Sequence, residues 1–308
     1  MSHHFILLLM GAWFSAFALM HAESLNGFDV SNASVPAAEI LSGGPPRDGI
    51  PSINMPKFIP ASEAHFVRDE DIVIGLTRGN LARAYPLRIL VWHEIVNDTI
   101  GGDAVAVTYC PLCGTSMVFD RKIGDTIRNF GVSGLLYNSN VLLYDRETES
   151  LWSQLAMEAV SGSSVGAKLP WLPSEHLTWK EWRTKHPDGE LLSSDTGHDR
   201  DYGEEAYASY FDTDGTMFPV RHRRTELRNK TWVLGVNLSD NAKAYPVENL
   251  PDGKPVRDRV GGQDIEILWN KASQHPVVRD ADGKETPSVI VFWFAWQAFH
   301  PETELWKP

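Results

Sequence analysis

The sequence predicts a mainly β protein of the α+β class, made of two tandem copies of a related β-rich unit packed as one or two domains. Two observations support this prediction. A set of segments recurs at constant spacing, and most apolar runs are short and rich in β-branched or aromatic residues. The composition, with 43% hydrophobic and 22% charged residues, is that of a globular protein. The chain has two cysteines, so its fold depends on a hydrophobic core rather than on disulfides.

The repeat is visible in three pairs of segments. The first copy contains residues 72–75 (IVIG), 80–86 (NLARAYP) and 101–107 (GGDAVAV). The second copy contains residues 232–235 (WVLG), 241–246 (NAKAYP) and 261–267 (GGQDIEI). Gly75, Tyr85 and Gly101 each lie 160 residues before their counterparts. Since no gap interrupts this spacing, chance is a poor explanation.

The two copies also end alike, but at a different spacing. His186-Pro187 in the first copy and His300-Pro301 in the second are 114 residues apart, and Trp and Glu-Leu flank both. The second copy therefore lacks 46 residues, which we place at roughly residues 110–169 of the first copy. Because duplicated units share a scaffold, we expect any chemistry to lie in this extra segment.

Local patterns predict the individual elements. Two β-branched or aromatic runs flank the turn at residues 77–80, as in a hairpin. The predicted strands cover residues 72–76, 82–85, 105–109, 117–119, 126–130, 141–144 and 289–294. The predicted helices cover residues 87–96 and 174–185. The order of these elements excludes a βαβ alternation of the Rossmann kind.

The N-terminus predicts export to the periplasm or the medium. Residues 5–20 are almost wholly apolar and small residues follow up to Ala22, as in a signal peptide, although no Lys or Arg precedes them. The run is too short to favour a stable membrane span after cleavage. We therefore divide the chain into a signal peptide (1–22), a flexible lead-in (23–60), a first repeat (61–195) and a shorter second repeat (196–308). A formal net charge of −12 disfavours nucleic acid as a partner.

The most distinctive chemical feature is the turn Cys110-Pro111-Leu112-Cys113. Pro111 fixes φ near −65° and the following glycine accepts positive φ, so both sulfurs lie on one side, as in half of a zinc knuckle. No second cysteine pair completes such a site, and His93 is the best candidate for a third ligand. Weaker candidates are Glu94, Asp98 and Met117. Zinc or copper(I) suits two thiolates and an imidazole.

Two other interpretations of the cysteines stay open. The same CxxC suits a thiol–disulfide redox protein, although the residues after Cys113 resemble a strand rather than the helix that usually follows a redox pair. A static disulfide, or two thiols that only stabilise a turn, explains the pattern equally simply.

A non-catalytic binding or scaffold module is the third functional alternative, with an aromatic cluster around Tyr137 and Trp152 as its surface. Polar and aromatic residues near the turn form a candidate pocket: Tyr109, Tyr137, Asn138, Asn140, Asp145 and Arg146. The partner would be an unidentified exported protein or a small molecule.

Taken together, these residues resemble the bacterial and archaeal family known as domain of unknown function 3179. The matching stretches are residues 92–98 (WHEIVND), 107–114 (VTYCPLCG), 134–140 (GLLYNSN), 144–148 (YDRET), 150–152 (SLW) and 201–203 (DYG), with Tyr207 and Tyr210. Coverage begins near His65, and Ala206 stands where the family pattern favours proline. The resemblance implies an exported or membrane-associated setting, includes Cys110, Cys113 and His93 in the pattern, and implies no settled activity.

Overall fold

The computed structural model describes residues 24–308, so the predicted signal peptide lies outside the described residues. The described chain is mainly β, with 41% strand and 12% helix, which confirms the predicted class. No helix within residues 24–308 is long and apolar enough to cross a bilayer.

The strands are short and numerous. In the N-terminal part they are β1 (Ser24–Leu25), β2 (Phe28–Asp29), β3 (Ile40–Ser42), β4 (Phe58–Pro60), β5 (Ile72–Arg78), β6 (Leu81–Pro86), β7 (Ile95–Ile100), β8 (Asp103–Cys110) and β9 (Thr115–Asp120). The next strands are β10 (Lys122–Ile123), β11 (Thr126–Ile127), β12 (Phe130–Tyr137), β13 (Asn140–Asp145), β14 (Leu151–Ser153), β15 (Glu158–Ala159), β16 (Trp171–Leu172), β17 (Glu175–Thr178) and β18 (Glu190–Leu192). The last are β19 (Trp232–Leu238), β20 (Asn241–Pro246), β21 (Val256–Val260), β22 (Gln263–Asn270), β23 (His275–Asp280), β24 (Val289–Phe292) and β25 (Glu304–Leu305).

The helices are α1 (Leu87–His93), α2 (Trp179–Lys185), α3 (Ala208–Phe211) and α4 (Trp293–Phe299), with 3-10 turns at Ala37–Glu39, Ala61–Glu63 and Val247–Asn249. Both predicted helices are shorter than expected. Glu94 adopts a left-handed conformation, φ 57°, which ends α1 before β7. The start of the second predicted helix is strand β17, and Thr178 then caps α2 by accepting the backbone N–H of Glu181.

Five sheets of three to five strands are arranged as in a five-blade propeller, and two small hairpins accompany them. Sheet I has the order β17-β5-β6-β18-β4, sheet II β16-β9-β8-β7 and sheet III β15-β14-β13-β12-β3. Sheet IV has the order β24-β19-β20-β25 and sheet V β21-β22-β23.

Sheets I and IV share a strand order and a packing detail. In both, two antiparallel pairings are followed by one parallel pairing, β6 with β18 and β20 with β25. A Cβ on Gly75 would overlap the ring of Trp182 in α2, and a Cβ on Gly235 would overlap the ring of Trp296 in α4. A tryptophan therefore packs directly on the backbone of the central strand in each sheet.

Sheets II and V also correspond in register. Val105 pairs with Asp120, and Ile265 pairs with Asp280, again 160 residues later. The constant spacing therefore extends through both cysteine positions, and the extra residues of the first region begin after Asp120 rather than at Cys110. Most of sheet III, strands β12 to β15, is built from this extra segment.

Residues 24–60 differ from the flexible lead-in predicted for this stretch. Strand β3 pairs with β12, with Leu136 opposite Leu41, and β4 pairs with β18. Phe28, Val30 and Ile40 are buried. Their apolar side chains find a surface only in the folded chain, which is why a segment rich in Pro and Gly is nonetheless ordered.

Sheets II and III are joined through one buried amide. The Asn97 side chain on β7 donates from Nδ2 to the Phe130 carbonyl at 2.8 Å, and its Oδ1 accepts the Phe130 N–H at 3.0 Å. The largest core cluster combines residues of sheets II, III and IV and includes both cysteines. The fold therefore encloses the cysteine turn in its main core.

Candidate functional site

The cysteine turn connects β8 to β9 and is tightly closed. Cys110 pairs with Thr115, and the Cys113 N–H donates to the Cys110 carbonyl at 3.2 Å, which defines a β-turn. Gly114 follows with φ 64°. Both cysteines are free thiols, with only 1% and 0% of their surface exposed. The site is thus a buried pair of thiols on one turn.

The hairpin between β12 and β13 covers the second cysteine. Asn138 and Ser139 both have positive φ, 50° and 63°, as a two-residue hairpin turn requires. This turn directs the Ser139 carbonyl at the Cys113 thiol, which donates to it at 3.3 Å. Asn140 Nδ2 approaches Cys113 Sγ at 3.5 Å. The predicted pocket residue Asn140 therefore contacts the dithiol.

A chain of buried polar groups holds Asn140 in place. Its Nδ2 donates to Gln154 Oε1 at 2.9 Å, and Gln154 Nε2 donates to Thr108 Oγ1 at 2.8 Å. Thr108 Oγ1 donates in turn to the Met117 carbonyl, so Met117 takes part through its backbone. Sequence reasoning missed Gln154, because its role depends on burial that no local pattern shows.

The two thiols differ in acidity. Burial raises the pKa of Cys110, but hydrogen bonds from the Cys113 thiol and from the backbone N–H groups of Val141, Cys113 and Leu112 outweigh it, so that pKa is lowered. Burial, the hydrogen bond to Cys110 and its charge raise the pKa of Cys113. The pair therefore favours a single thiolate on Cys110, next to a protonated Cys113.

Glu94 lies beside Cys110 because the left-handed end of α1 turns it inward. The Tyr109 N–H donates to the Glu94 carbonyl at 2.8 Å, which joins this residue to the strand that ends in Cys110. Burial, and then the charge of Cys110, raises the pKa of Glu94 to about 8. At neutral pH its carboxyl group is therefore mostly protonated.

A small cavity of about 70 Å³ lies between these groups. Its polar or reactive lining consists of Glu94, Cys110 and Tyr207, and the other walls are mainly apolar. Side chains that complete it include Ile50, Leu112, Val132, Leu136, Val141 and Phe218. The cavity therefore gives Cys110, rather than Cys113, the open space of the site.

Residues 202–218, here called the covering segment, close this region from outside. The Tyr210 hydroxyl donates to the Leu112 carbonyl in the cysteine turn at 2.9 Å. Tyr207 lines the cavity, and burial followed by the charges of Glu94 and Cys110 raises its pKa to about 12. Met217 and Phe218 also line the cavity. Sequence reasoning named Tyr207 and Tyr210 only through the resemblance.

An outer groove runs over the other side of the turn. It consists of two adjoining cavities of about 390 and 380 Å³, which share Ile72, Leu87, Tyr109 and Phe211. Tyr109 was predicted as a pocket residue and lies in the wall of this groove. Tyr207 lines both the groove and the small cavity, and is the side chain between them.

His93 has partners other than the cysteines. Its Nδ1 is 2.7 Å from the Pro51 carbonyl and its Nε2 is 2.7 Å from the Tyr202 hydroxyl. Burial lowers the pKa of His93 to about 4. Within residues 24–308, no three His, Cys, Asp or Glu side chains are placed to hold one metal ion. The structure thus does not group His93 with the two cysteines as the predicted ligand set required.

Other predicted residues have structural contacts away from the dithiol. Asp98 accepts the Tyr85 hydroxyl at 2.6 Å and pairs with Arg83 at 2.9 Å. Tyr137 packs edge-on against Phe299.

The last three predicted pocket residues are likewise engaged elsewhere. Asn138 Oδ1 accepts the backbone N–H of Arg221 at 2.8 Å. Asp145, at the far end of β13, accepts Trp152 Nε1 at 2.8 Å, and Arg146 pairs with Asp48. The candidate pocket therefore separates into residues at the turn and residues that stabilise sheet III.

Residues 47–303 match the model of one family, described as protein of unknown function (DUF3179). No curated protein and no solved structure matches the chain.

Proposed function

The chain belongs to the DUF3179 family of proteins of unknown function, and we propose from its own geometry that Cys110 and Cys113 form a reversible dithiol–disulfide couple. The observation that carries this proposal is the closed turn, which places a thiol whose pKa is lowered by hydrogen bonds beside one whose pKa is raised by burial. A β-turn holds its first and fourth Cα atoms within about 7 Å, the range in which a disulfide forms. Oxidation of the thiolate and thiol would remove two electrons and one proton without moving the strands.

The surrounding hydrogen bonds also suit such a couple. The Cys113 thiol donates to the Ser139 carbonyl, and Asn140 approaches the same sulfur. These contacts hold Cys113 in position to attack an oxidised Cys110. Asn140 is itself fixed by Gln154, so the arrangement is rigid rather than adaptable.

The experiment is a redox titration of the purified protein with free thiols counted at each potential. We expect a two-electron transition within the oxidoreductase range, roughly −270 to −120 mV. Cys113→Ser should abolish the transition, whereas Ser273→Ala, a change at the corresponding turn of sheet V, should leave it in place. A bond that resists reduction until the protein unfolds would mean a static disulfide.

The predicted zinc or copper(I) site with Cys110, Cys113 and His93 stays a prediction, and the same preparation tests it. Elemental analysis should be made on protein purified from its native compartment, together with Cys110→Ser and His93→Ala. Stoichiometric metal that both variants lose would replace the redox proposal by the metal site. Metal lost only in Cys110→Ser would leave the two thiolates as ligands and remove His93.

The tandem duplication and the exported setting are part of this proposal. The shared strand order and register of sheets I and IV, and of sheets II and V, support two copies of one unit. Export to an oxidising compartment would supply conditions in which the couple cycles. Fractionation of cells that express the full chain tests the location.

A further inference from the structure

We propose that the oxidant of this dithiol is a small hydroperoxide, with hydrogen peroxide as the type, which reaches Cys110 past the side chain of Tyr207. This inference rests on the proposed dithiol–disulfide couple and names its substrate class. Three features of the described residues carry it: the size of the inner cavity, the position of Tyr207, and the carboxyl group of Glu94 beside the sulfur.

The first step concerns the size of the oxidant. Both sulfurs are buried, so the surface of a partner protein cannot approach them in this conformation. The cavity beside Cys110 has a volume of about 70 Å³. A cavity of about 150 Å³ holds one benzene molecule, so a cavity of about 70 Å³ is too small for a molecule with an aromatic ring. Hydrogen peroxide, with two oxygen atoms, fits this space, whereas a bulky organic hydroperoxide does not.

The second step concerns access. Tyr207 is half-buried and lies between the outer groove and the inner cavity. It immediately precedes the short helix α3, and the Tyr210 hydroxyl one helical turn later anchors this segment to the Leu112 carbonyl. The backbone is therefore fixed by Tyr210, while rotation of the Tyr207 side chain opens the wall. Such a gate admits small molecules without unfolding the covering segment.

The third step is the chemistry. The Cys110 thiolate attacks one oxygen of hydrogen peroxide, so an S–O bond forms and the O–O bond breaks. The leaving hydroxide takes the proton of the Glu94 carboxyl group and departs as water, which leaves a sulfenic acid on Cys110. The Cys113 sulfur then attacks the Cys110 sulfur, so the S–S bond forms and the S–O bond breaks. The Cys113 thiol proton converts the second hydroxide to water.

The electrons and protons balance over these two steps. One peroxide accepts two electrons, two thiols become one disulfide, and two waters are released. An external dithiol, which reaches the disulfide only after the covering segment has opened, then returns two electrons and restores the protons of Glu94 and Cys113. Glu94 therefore serves as a general acid toward the leaving group, because its side chain lines the same cavity as Cys110.

The decisive experiment compares two oxidants on three proteins. Reduced wild type, Tyr207→Ala and Tyr207→Phe are each mixed with hydrogen peroxide or with cumene hydroperoxide, and loss of free thiols is followed in time. We expect wild type and Tyr207→Phe to react with hydrogen peroxide only, because the ring closes the wall in both. Tyr207→Ala should react with cumene hydroperoxide at least about tenfold faster than wild type. Equal rates of wild type with both oxidants would overturn the size selection.

Trapping identifies the reacting sulfur. In Cys113→Ser the sulfenic acid on Cys110 has no resolving thiol, so dimedone added together with denaturant after peroxide treatment should label it. Cys110→Ser should take no label. Label on Cys113 in the latter variant would contradict the assignment of Cys110 as nucleophile. Glu94→Gln should slow thiol loss while circular dichroism shows an unchanged fold, and an unchanged rate would remove Glu94 from the step.

A further test distinguishes failure of the peroxide inference from failure of the dithiol–disulfide couple. Diamide, which oxidises dithiols without a peroxide, and hydrogen peroxide are each added to reduced Tyr207→Ala, in which the opened wall admits the larger reagent. A Cys110–Cys113 disulfide that forms with diamide but not with hydrogen peroxide would overturn the peroxide inference and leave the couple intact. Two thiols that persist under both treatments would overturn both.

Discussion

The first region, sheets I and II, and the second region, sheets IV and V, share one strand order but differ in what covers them. Strand β8 in sheet II is buried at every residue after the first, whereas β22 in sheet V alternates between buried and more exposed positions. The extra segment explains this difference, because sheet III contributes with sheet II to one core. Sheet III, here called the second layer, thus encloses a hairpin of sheet II that would otherwise be half-exposed.

The β8–β9 turn and the corresponding β22–β23 turn show that cysteines are not needed to close this type of turn. Cys110 and Cys113 occupy the positions of Asn270 and Ser273 in sheet V. There Asn270 Oδ1 accepts the backbone N–H groups of Ala272 and Ser273 at 3.0 and 3.2 Å, which closes the same turn without sulfur. A cysteine pair is therefore not a requirement of the turn, and this comparison favours a chemical role for it.

The largest expected effect tests the difference in burial. Asp98 and Asp258 occupy equivalent positions, and each accepts a tyrosine hydroxyl and pairs with a basic residue. Only 6% of the Asp98 side chain is exposed, against 19% for Asp258. Asp98→Ala should lower the free energy of unfolding by about 4 kcal/mol, since it removes a buried carboxylate that pairs with Arg83 and accepts the Tyr85 hydroxyl.

Asp258→Ala is the matched control and should cost about 1 kcal/mol, because solvent reaches the Asp258 carboxylate more than that of Asp98 and weakens its ion pair. Urea denaturation of both variants measures the two losses. Equal losses would show that the second layer does not isolate the first region from solvent.

The next effect tests the similarity of the two regions. Gly75→Ala and Gly235→Ala each place a methyl group where a tryptophan ring now lies. Both substitutions should lower the free energy of unfolding by about 2 kcal/mol, as overpacking does in a dense core. Gly253→Ala is the control for replacing a glycine, because no atom lies near the added carbon. The substitution there strains only the backbone, which has a positive φ. A strong loss at only one tryptophan site would break the structural equivalence.

A smaller effect concerns pH at the contact between the regions. His176 on β17 and His275 on β23 both have a pKa of about 4, lowered first by burial. Because this is below the ordinary value of 6.5, the unfolded chain binds more protons than the folded chain between pH 6.5 and 4. Stability should therefore fall as the pH drops through this window.

Urea denaturation at several pH values measures this slope. His176→Gln should make it shallower, because one histidine that must stay neutral in the folded state is removed. A slope that is unchanged in His176→Gln would mean that His176 does not titrate with unfolding.

The smallest effect on stability comes from transplanting the cysteines. The double variant Asn270→Cys and Ser273→Cys gives sheet V the same pair without the cover of sheet III. The new thiol at position 270 should react with a bulky thiol reagent within a time in which Cys110 and Cys113 stay protected, because Asn270 is exposed whereas Ser273 is buried. Equal protection of all four thiols would contradict the role assigned to the second layer.

Sequence reasoning predicted the mainly β class, because strand patterns are local signals. Glycine recurs at positions 75 and 235 for a physical reason, since each of these glycines leaves room for a tryptophan ring. The C-terminal end of α1 was not predictable, because Glu94 adopts a left-handed conformation that its residue type rarely favours.

The side chains that contact the two cysteines were less predictable than the cysteine turn itself. Asn140 and Gln154 reach the dithiol only because a hairpin folds over it, and such long-range contacts leave no periodic pattern. His93 was chosen for its proximity in sequence to Cys110, but the end of α1 directs it toward Tyr202. Glu94, its neighbour, faces the sulfur instead. The conformation at the end of α1 therefore determines that Glu94, and not the adjacent His93, lies beside Cys110.

The most direct test of the account is the number of free thiols in the native protein at two fixed redox potentials. A maleimide tag added after denaturation, read by mass spectrometry, counts them. The account predicts two free thiols under a dithiol reductant, none under an oxidising buffer, and full return to two on re-reduction without unfolding. A count that stays the same at both potentials would contradict it.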